Sequence, residues 1–427
     1  MANEKTQLTK ESKIKKLILV LGCGLILFNC CTAYGAKSGL QKKSQPCKSL
    51  RAMARIYMAY GDYQKAQTLA EQSLALTRNT NAPNSELCAC LLDLAWLYEK
   101  QGNLTEAEKM CKLGLRLQEE IYYESHPYVA YTLRILSSIF QGQGEYHKAE
   151  TALERALNIM EATHPEGDQV LAPFQVDIAE LLVKQGRYTE AEVHYQQALS
   201  LLNNSYGPDH LYTAGVLGKV AKLYTLQKRY SQAQALINKT LQIQQKVYGQ
   251  DHHLLAETWL TTAAIHQAKK EYIRAEALTE KTLRVVADKQ GYEHPLTGKV
   301  LSRLSGLYIV NGKYSQAQTV CQRAVKILEN SLGNENNFTA MAHNNLARLY
   351  IHQGKYDEAQ KLCEKTLRTI ESIFDKNHPN VADVLQTMAL LYNQTGNVAK
   401  AAQLQQRAEA ICLSKQVAIV SSAAPIQ

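Results

Sequence analysis

The sequence predicts an all-α solenoid built from about nine helix-turn-helix units, and three observations carry that prediction. A segment recurs with a period of 42 residues: LAWLYEKQGNLTEAE (94–108), IAELLVKQGRYTEAE (178–192), LSGLYIVNGKYSQAQ (304–318) and LARLYIHQGKYDEAQ (346–360). Glycine marks the period at Gly61, Gly102, Gly144, Gly186, Gly312, Gly354 and Gly396, and Lys228 and Lys270 fill the two gaps, giving spacings of 41 once and then 42. Five residues after each of these positions stands an alanine, from Ala66, Ala107 and Ala149 through to Ala401. Such units cannot bury an apolar face alone, so copies must stack.

In chain order, the first element is an export segment. Lys5, Lys10, Lys13, Lys15 and Lys16 outnumber Glu4 and Glu11, the apolar stretch Leu17 to Phe28 follows, and small residues stand at Ala33 and Gly35. This pattern predicts a secretory signal peptide over residues 1–36, cut near Gly35–Ala36, and a periplasmic or secreted protein. The competing reading is a retained membrane anchor over residues 17–34, which just reaches the length a span needs. A cytosolic chain is a third reading. Lipidation at Cys23 fits less well, because Leu21 is bulky for that signal. Losing five positive and two negative charges lowers the formal charge from +9 to about +6, and no basic run in the body points to nucleic acid. Residues 37–45 read as a linker, 46–413 as the solenoid and 414–427 as a flexible tail.

Within a copy, Leu346, Ala347 and Tyr350 fall on one helical face, and Ala347 leaves room for a neighbouring helix. Gly354 closes that first helix in the left-handed conformation. Lys228 and Lys270 would be strained there, so looser turns are expected in copies five and six. Tyr356, Ala359 and Leu367 form the inner stripe of the second helix.

Leu94, Ala95, Tyr98, Gly102, Ala107 and Leu115 stand at the key positions of the tetratricopeptide repeat, which this arrangement resembles. The period, the His-Pro junctions at His294-Pro295 and His378-Pro379, and Asn344-Asn345-Leu346-Ala347 make it similar to the kinesin light chain type of that repeat. The resemblance implies a right-handed superhelix, a concave groove lined by the first helix of each copy, and a non-catalytic scaffold for a protein or peptide partner. In such arrays stability is nearest-neighbour and the ends are weak. The end helix of copy nine offers a self-association surface.

Three features could carry chemistry: the histidines, the cysteines and short catalytic motifs. His126, His210, His252, His294 and His378 share one register, but equivalent positions in stacked copies cannot converge on one ion. They read as junction residues, with Asp209, Asp251 and Asn377 as the helix caps. Seven cysteines follow the export segment, and Cys47, Cys88, Cys111, Cys321 and Cys363 occupy repeat-core slots. A single bridge from Cys88 or Cys90 to Cys111 is the alternative. No GxSxG, HExxH or phosphate-binding glycine loop is present. The sequence therefore reads as a non-enzyme needing no cofactor or metal.

By the resemblance, four positions of each first helix face the groove. They carry Lys48, Arg51, Arg55, Arg134, Lys219, Lys222, Lys299, Arg303 and Arg348 against Asp93, Asp177, Glu180, Glu257 and Asp383. A groove basic in copies one, five and seven is expected, favouring an acidic or carboxylate-ended ligand. Trp96 falls in the groove where core packing needs no large ring, and with Leu92 it would form a pocket beside Arg51 and Arg55. Trp259 falls at the usual core position. Asn344 and Asn345 stand where this family's asparagines grip an extended peptide backbone, with Arg348 one turn on.

Overall fold

The computed structural model describes residues 41–80, 83–374, 376 and 378–421. The export segment, Asn377 and the last six residues lie outside the described residues. Nine helix pairs follow one another: α1 (Gln41–Ala59) with α2 (Tyr63–Asn79), α3 (Asn84–Gln101) with α4 (Leu104–Tyr122), and α5 (Pro127–Gln143) with α6 (Tyr146–Thr163). The middle pairs are α7 (Ala172–Gln185) and α8 (Tyr188–Tyr206), α9 (Leu211–Leu226) and α10 (Tyr230–Tyr248), and α11 (Ala256–Ala268) and α12 (Tyr272–Gln290). Then come α13 (Pro295–Val310) and α14 (Tyr314–Leu332), α15 (Asn337–His352) and α16 (Tyr356–Ile373), and α17 (Pro379–Gln394) and α18 (Val398–Ser421). Helix α1 begins inside the expected linker, and α18 continues into the expected tail. No described helix is long and apolar enough to cross a membrane.

The pairs form because each copy places one small residue where two helices meet. Ala66, Ala107, Ala149, Ala191, Ala233, Ala275, Ala317 and Ala359 are all fully buried, as are Ala95, Ala179, Ala221 and Ala347 opposite them. A larger side chain at these points would overpack a close contact. Trp259 is buried, as its core position requires. The six cysteines from Cys47 to Cys363 are buried free thiols, and Cys412 is exposed. Cys88 donates to the Gly114 carbonyl at 3.4 Å, and Cys90 contacts the Ser73 and Thr77 hydroxyls. Burial pushes the Cys321 thiol up to about 11 and Cys363 up to about 12, which keeps both protonated.

The turns of copies five and six are not loosened. Lys228 and Lys270 adopt the left-handed conformation at φ of 61° and 62°. Around Lys228 the hydrogen bonds repeat those around Gly144: Lys228 N–H to Thr225 O and Arg229 N–H to Tyr224 O match Gly144 to Gln141 and Glu145 to Phe140. What holds the strained residue is its neighbour. The Arg229 guanidinium stacks 3.7 Å from the Tyr224 ring and pairs with Glu192.

The junctions correct a second expectation. The cap is the histidine itself, since its Nδ1 accepts the amide N–H two residues on. These bonds are 3.1 Å at His126, 3.2 Å at His210, 3.3 Å at His252, and 3.1 Å at His294 and His378. Asp251 instead pairs with Lys281 across the junction. An aromatic residue at the end of the preceding helix stacks on the imidazole: Tyr122 on His126, Tyr206 on His210, Tyr248 on His252 and Phe374 on His378. Asp168 and Asn336 serve as caps where the histidine is absent.

The right-handed superhelix then returns to its own beginning. The Asn336 amide donates to the Gln101 carbonyl at 3.1 Å, 235 residues away, while its oxygen caps α15. His294 bonds the Ala59 backbone, and Tyr63 packs on the cluster formed by Leu328, Leu332 and Ala342. Copies one and two thus rest on copies seven and eight, so the N-terminal end is buttressed rather than weak. Gly102 has φ +83°, and a Cβ there would lie 2.6 Å from Asn336 Nδ2. Gly354 has φ +74° with nothing within 4 Å. Both alanine variants carry the same left-handed strain of about 1–2 kcal/mol. Gly102→Ala should therefore lose clearly more melting temperature than Gly354→Ala. Equal losses would mean that the seam is not tight.

Candidate functional site: the concave lumen

The first helix of each pair, from α1 to α17, presents its groove stripe to the inside of the superhelix. Along that stripe, cations of one copy meet carboxylates of a neighbouring copy. Arg51 Nε donates to Asp93 at 2.7 Å, Arg55 Nη2 to the same carboxylate at 2.8 Å, and Lys48 pairs with Glu86 at 3.1 Å. Arg134 pairs with Asp177, Lys219 with Glu180, Lys222 with Glu257 and Arg348 with Asp383. Every acidic residue of the expected stripe has a cation within ion-pair distance, Glu257 only loosely at 3.8 Å with both side chains largely exposed. The repeat explains why: residues 42 apart sit side by side on adjacent first helices.

Two cations are left over. Among the described residues no carboxylate lies within ion-pair distance of Lys299 or Arg303, one turn apart on α13. The Lys299 ammonium stands 3.6 Å from the Phe338 ring, which is exposed at the start of α15. Burial pushes Lys299 down to about 8, with Lys100 adding like-charge repulsion from across the seam. Arg303 is open to solvent in the lumen, yet protein surrounds it closely enough that desolvation also disfavours its charge. Basic character expected in copies one, five and seven is neutralised in the first two and survives in copy seven.

The other expected residues divide clearly. Trp96 is half-buried, packed by the cluster of Ala54 and Met58, with the Lys100 ammonium 5.8 Å from its ring. Leu92 does not join it. That side chain is 4% exposed and lies on Gly114, where a Cβ would come within 2.9 Å, so the expected pocket is filled core. Asn344 is fully buried; its amide donates to Asp383 at 3.0 Å and its Oδ1 has no partner. The Asn345 amide donates to the Ser302 carbonyl at 2.8 Å, so both amide nitrogens act within the protein. Arg348 is half-buried and also donates to Thr387 at 3.0 Å. Arg134 lies 4.9 Å from the Phe174 ring, and Lys222 is largely exposed.

Lys100 and Phe338 were not among the residues read from sequence. Lys100 is one helical turn beyond Trp96, and Phe338 precedes the same stripe by one turn on α15. Extending the stripe by a turn at each end would have found both. Among the described residues no group of three or more His, Cys, Asp or Glu side chains could hold a metal.

A family model for the tetratricopeptide repeat matches residues 46–120, 97–162, 171–246, 212–288, 296–356 and 338–414. Among solved structures, the chain is similar to a Rap protein complexed with competence and sporulation factor, at 13% identity over 88% of this chain and 99% of that one, with a TM-score of 0.57. Aspartyl phosphate phosphatase F from Bacillus subtilis is similar at 13% identity, over 89% and 96% of the two chains, with a TM-score of 0.54. A putative kinesin light chain from Podospora anserina with nearly identical repeats gives 23% identity, 48% and 98% coverage and a TM-score of 0.38. At these identities the likeness is one of fold. No curated protein sequence matches the chain.

Proposed function

Because the chain belongs to the tetratricopeptide repeat family, we propose that this protein-interaction scaffold holds an extended segment of a partner protein inside its lumen. The carrying observation is the seam, where Asn336 meets Gln101 and Tyr63 packs on Leu328, Leu332 and Ala342, bringing the first copies against the seventh and eighth. On this reading the space inside the superhelix takes an extended chain, whereas a folded domain would need the seam to open. Trp96 and Phe338 supply partly exposed rings, and rings and arginines dominate the energetics of protein interfaces. A protein of the same fold solved with competence and sporulation factor bound supports a ligand-holding role. Under the export reading of the N-terminal segment, the lumen meets its ligand outside the cytoplasm.

Affinity capture from the source cell, followed by tiled peptides of each captured protein, tests this reading. A peptide held by the wild type should bind Trp96→Ala and Phe338→Ala about tenfold more weakly each. Equal binding by wild type and both variants would move the function to the convex face. A chain that captures nothing and sediments as a concentration-dependent oligomer would favour self-assembly through its end helices.

A further inference from the structure

Resting on the lumen reading, we propose that Lys100, Lys299 and Arg303 form an anion subsite bridging the seam, whose occupant is a run of carboxylates on the bound peptide. The remaining stripe cations have carboxylates within ion-pair distance, at Glu86, Asp93, Asp177, Glu180, Glu257 and Asp383, although Lys222–Glu257 is as long, at 3.8 Å, as the Lys100–Glu99 pair. Only α13 presents stripe cations for which no described carboxylate is close enough. Lys100 reaches toward them from α3, on the other side of the junction where Asn336 meets Gln101. It shares the Glu99 carboxylate at a loose 3.8 Å, and its own side chain remains open to solvent.

Burial surrounds Lys299 and Arg303, one turn apart on α13, and Lys299 also feels the like charge of Lys100. Such repulsion is costly where screening by water is reduced. Relief by an internal carboxylate would have been simple, since the same device recurs in the other copies. Burial is the main reason the Lys299 ammonium is held down to about 8, and Lys100 repulsion adds to it. Phe338 lies 3.6 Å from the Lys299 ammonium and Trp96 lies 5.8 Å from that of Lys100, so each cation has an aromatic neighbour. A carboxylate run rather than one small ion suits the site, because the cations come from two helices of different superhelical turns. Binding there joins copy two to copy seven and tightens the ring.

The test uses the purified full chain with a labelled oligoglutamate peptide as probe, at low salt. Wild type should bind it, and Lys299→Gln and Arg303→Gln should each weaken binding about tenfold, the loss of one hydrogen bond to a charged group. Lys100→Gln gives the distinguishing signature. It should weaken the probe while leaving the melting temperature unchanged or raised, because it removes repulsion across the seam. Probe binding that falls in Trp96→Ala but not in the three cation variants overturns the subsite and leaves the lumen reading standing. Binding unaffected by all four variants overturns both. Displacement of the probe by inorganic phosphate as readily as by free oligoglutamate would show a single-ion site and overturn the carboxylate assignment.

Discussion

Replacing Asp93 with alanine is expected to destabilise the first two copies by about 3–5 kcal/mol, the cost of breaking a buried ion pair from one side. Asp93 is 5% exposed and holds two guanidinium groups, Arg51 at 2.7 Å and Arg55 at 2.8 Å and 3.2 Å. Without it, two half-buried cations face each other, and Arg51 keeps a longer contact to Glu86 at 3.4 Å. Exposed ion pairs contribute about 0–1 kcal/mol, so burial is what raises the expected loss. Urea denaturation would measure the change, and hydrogen exchange would place it in α1 to α4. Replacing all three residues with apolar ones of similar volume should recover most of the loss, since no charge is then left unpaired. A single variant that loses less than about 1 kcal/mol would show that water reaches the cluster and screens it.

The second large effect is acid lability. Each junction imidazole accepts an amide proton through Nδ1, so protonation at that nitrogen turns the acceptor into a donor. Burial holds His126, His252 and His294 below the usual histidine range and pushes the adjacent His253 down to about 4. The folded protein therefore binds these protons less tightly than the unfolded chain, whose histidines titrate near 6.5. Their contribution is fully present above about pH 6.5 and is lost progressively as pH falls from there toward the lowered folded values. A cap contributes about 1 kcal/mol, so several lost together make a substantial drop. Melting temperatures at about pH 7.5, 6 and 5 should fall steeply across that window. His126→Asn offers the control, because Asn336 already performs the same capping in copy eight. This variant should match wild type at neutral pH and show a shallower acid slope. An unchanged slope would place the lability in the acidic residues instead.

Much of the fold was legible because the repeat states it many times over. The spacing of Gly102, Gly144 and Gly186 fixes the turns, and the fully buried alanines five residues on fix the helix contacts. Less of the site was legible. A stripe read residue by residue counts charges but does not reveal that Arg134 and Asp177, one period apart, neutralise each other. Leu92 was misplaced for a similar reason: its neighbour Gly114 lies on the second helix, and the hole that glycine leaves is invisible along one stripe. Histidine caps were hidden because aspartate and asparagine are the usual capping residues, and the rings stacked on His126, His210, His252 and His378 come from the preceding copy. Least visible was the seam, since nothing local in Gln101 or Asn336 announces a partner 235 residues away.

That same bond changes how the chain must fold. A linear array nucleates anywhere and spreads by short-range contacts, which makes it fast and lets its ends melt independently. Closing a loop of 235 residues carries an entropic cost on the order of 5 kcal/mol, so the seam forms last, after the intervening copies have stiffened into an arc. Once formed, it couples the first copies to the seventh and eighth. The molecule then melts as a ring, in which loss of any middle copy would release both sides of the closure at once.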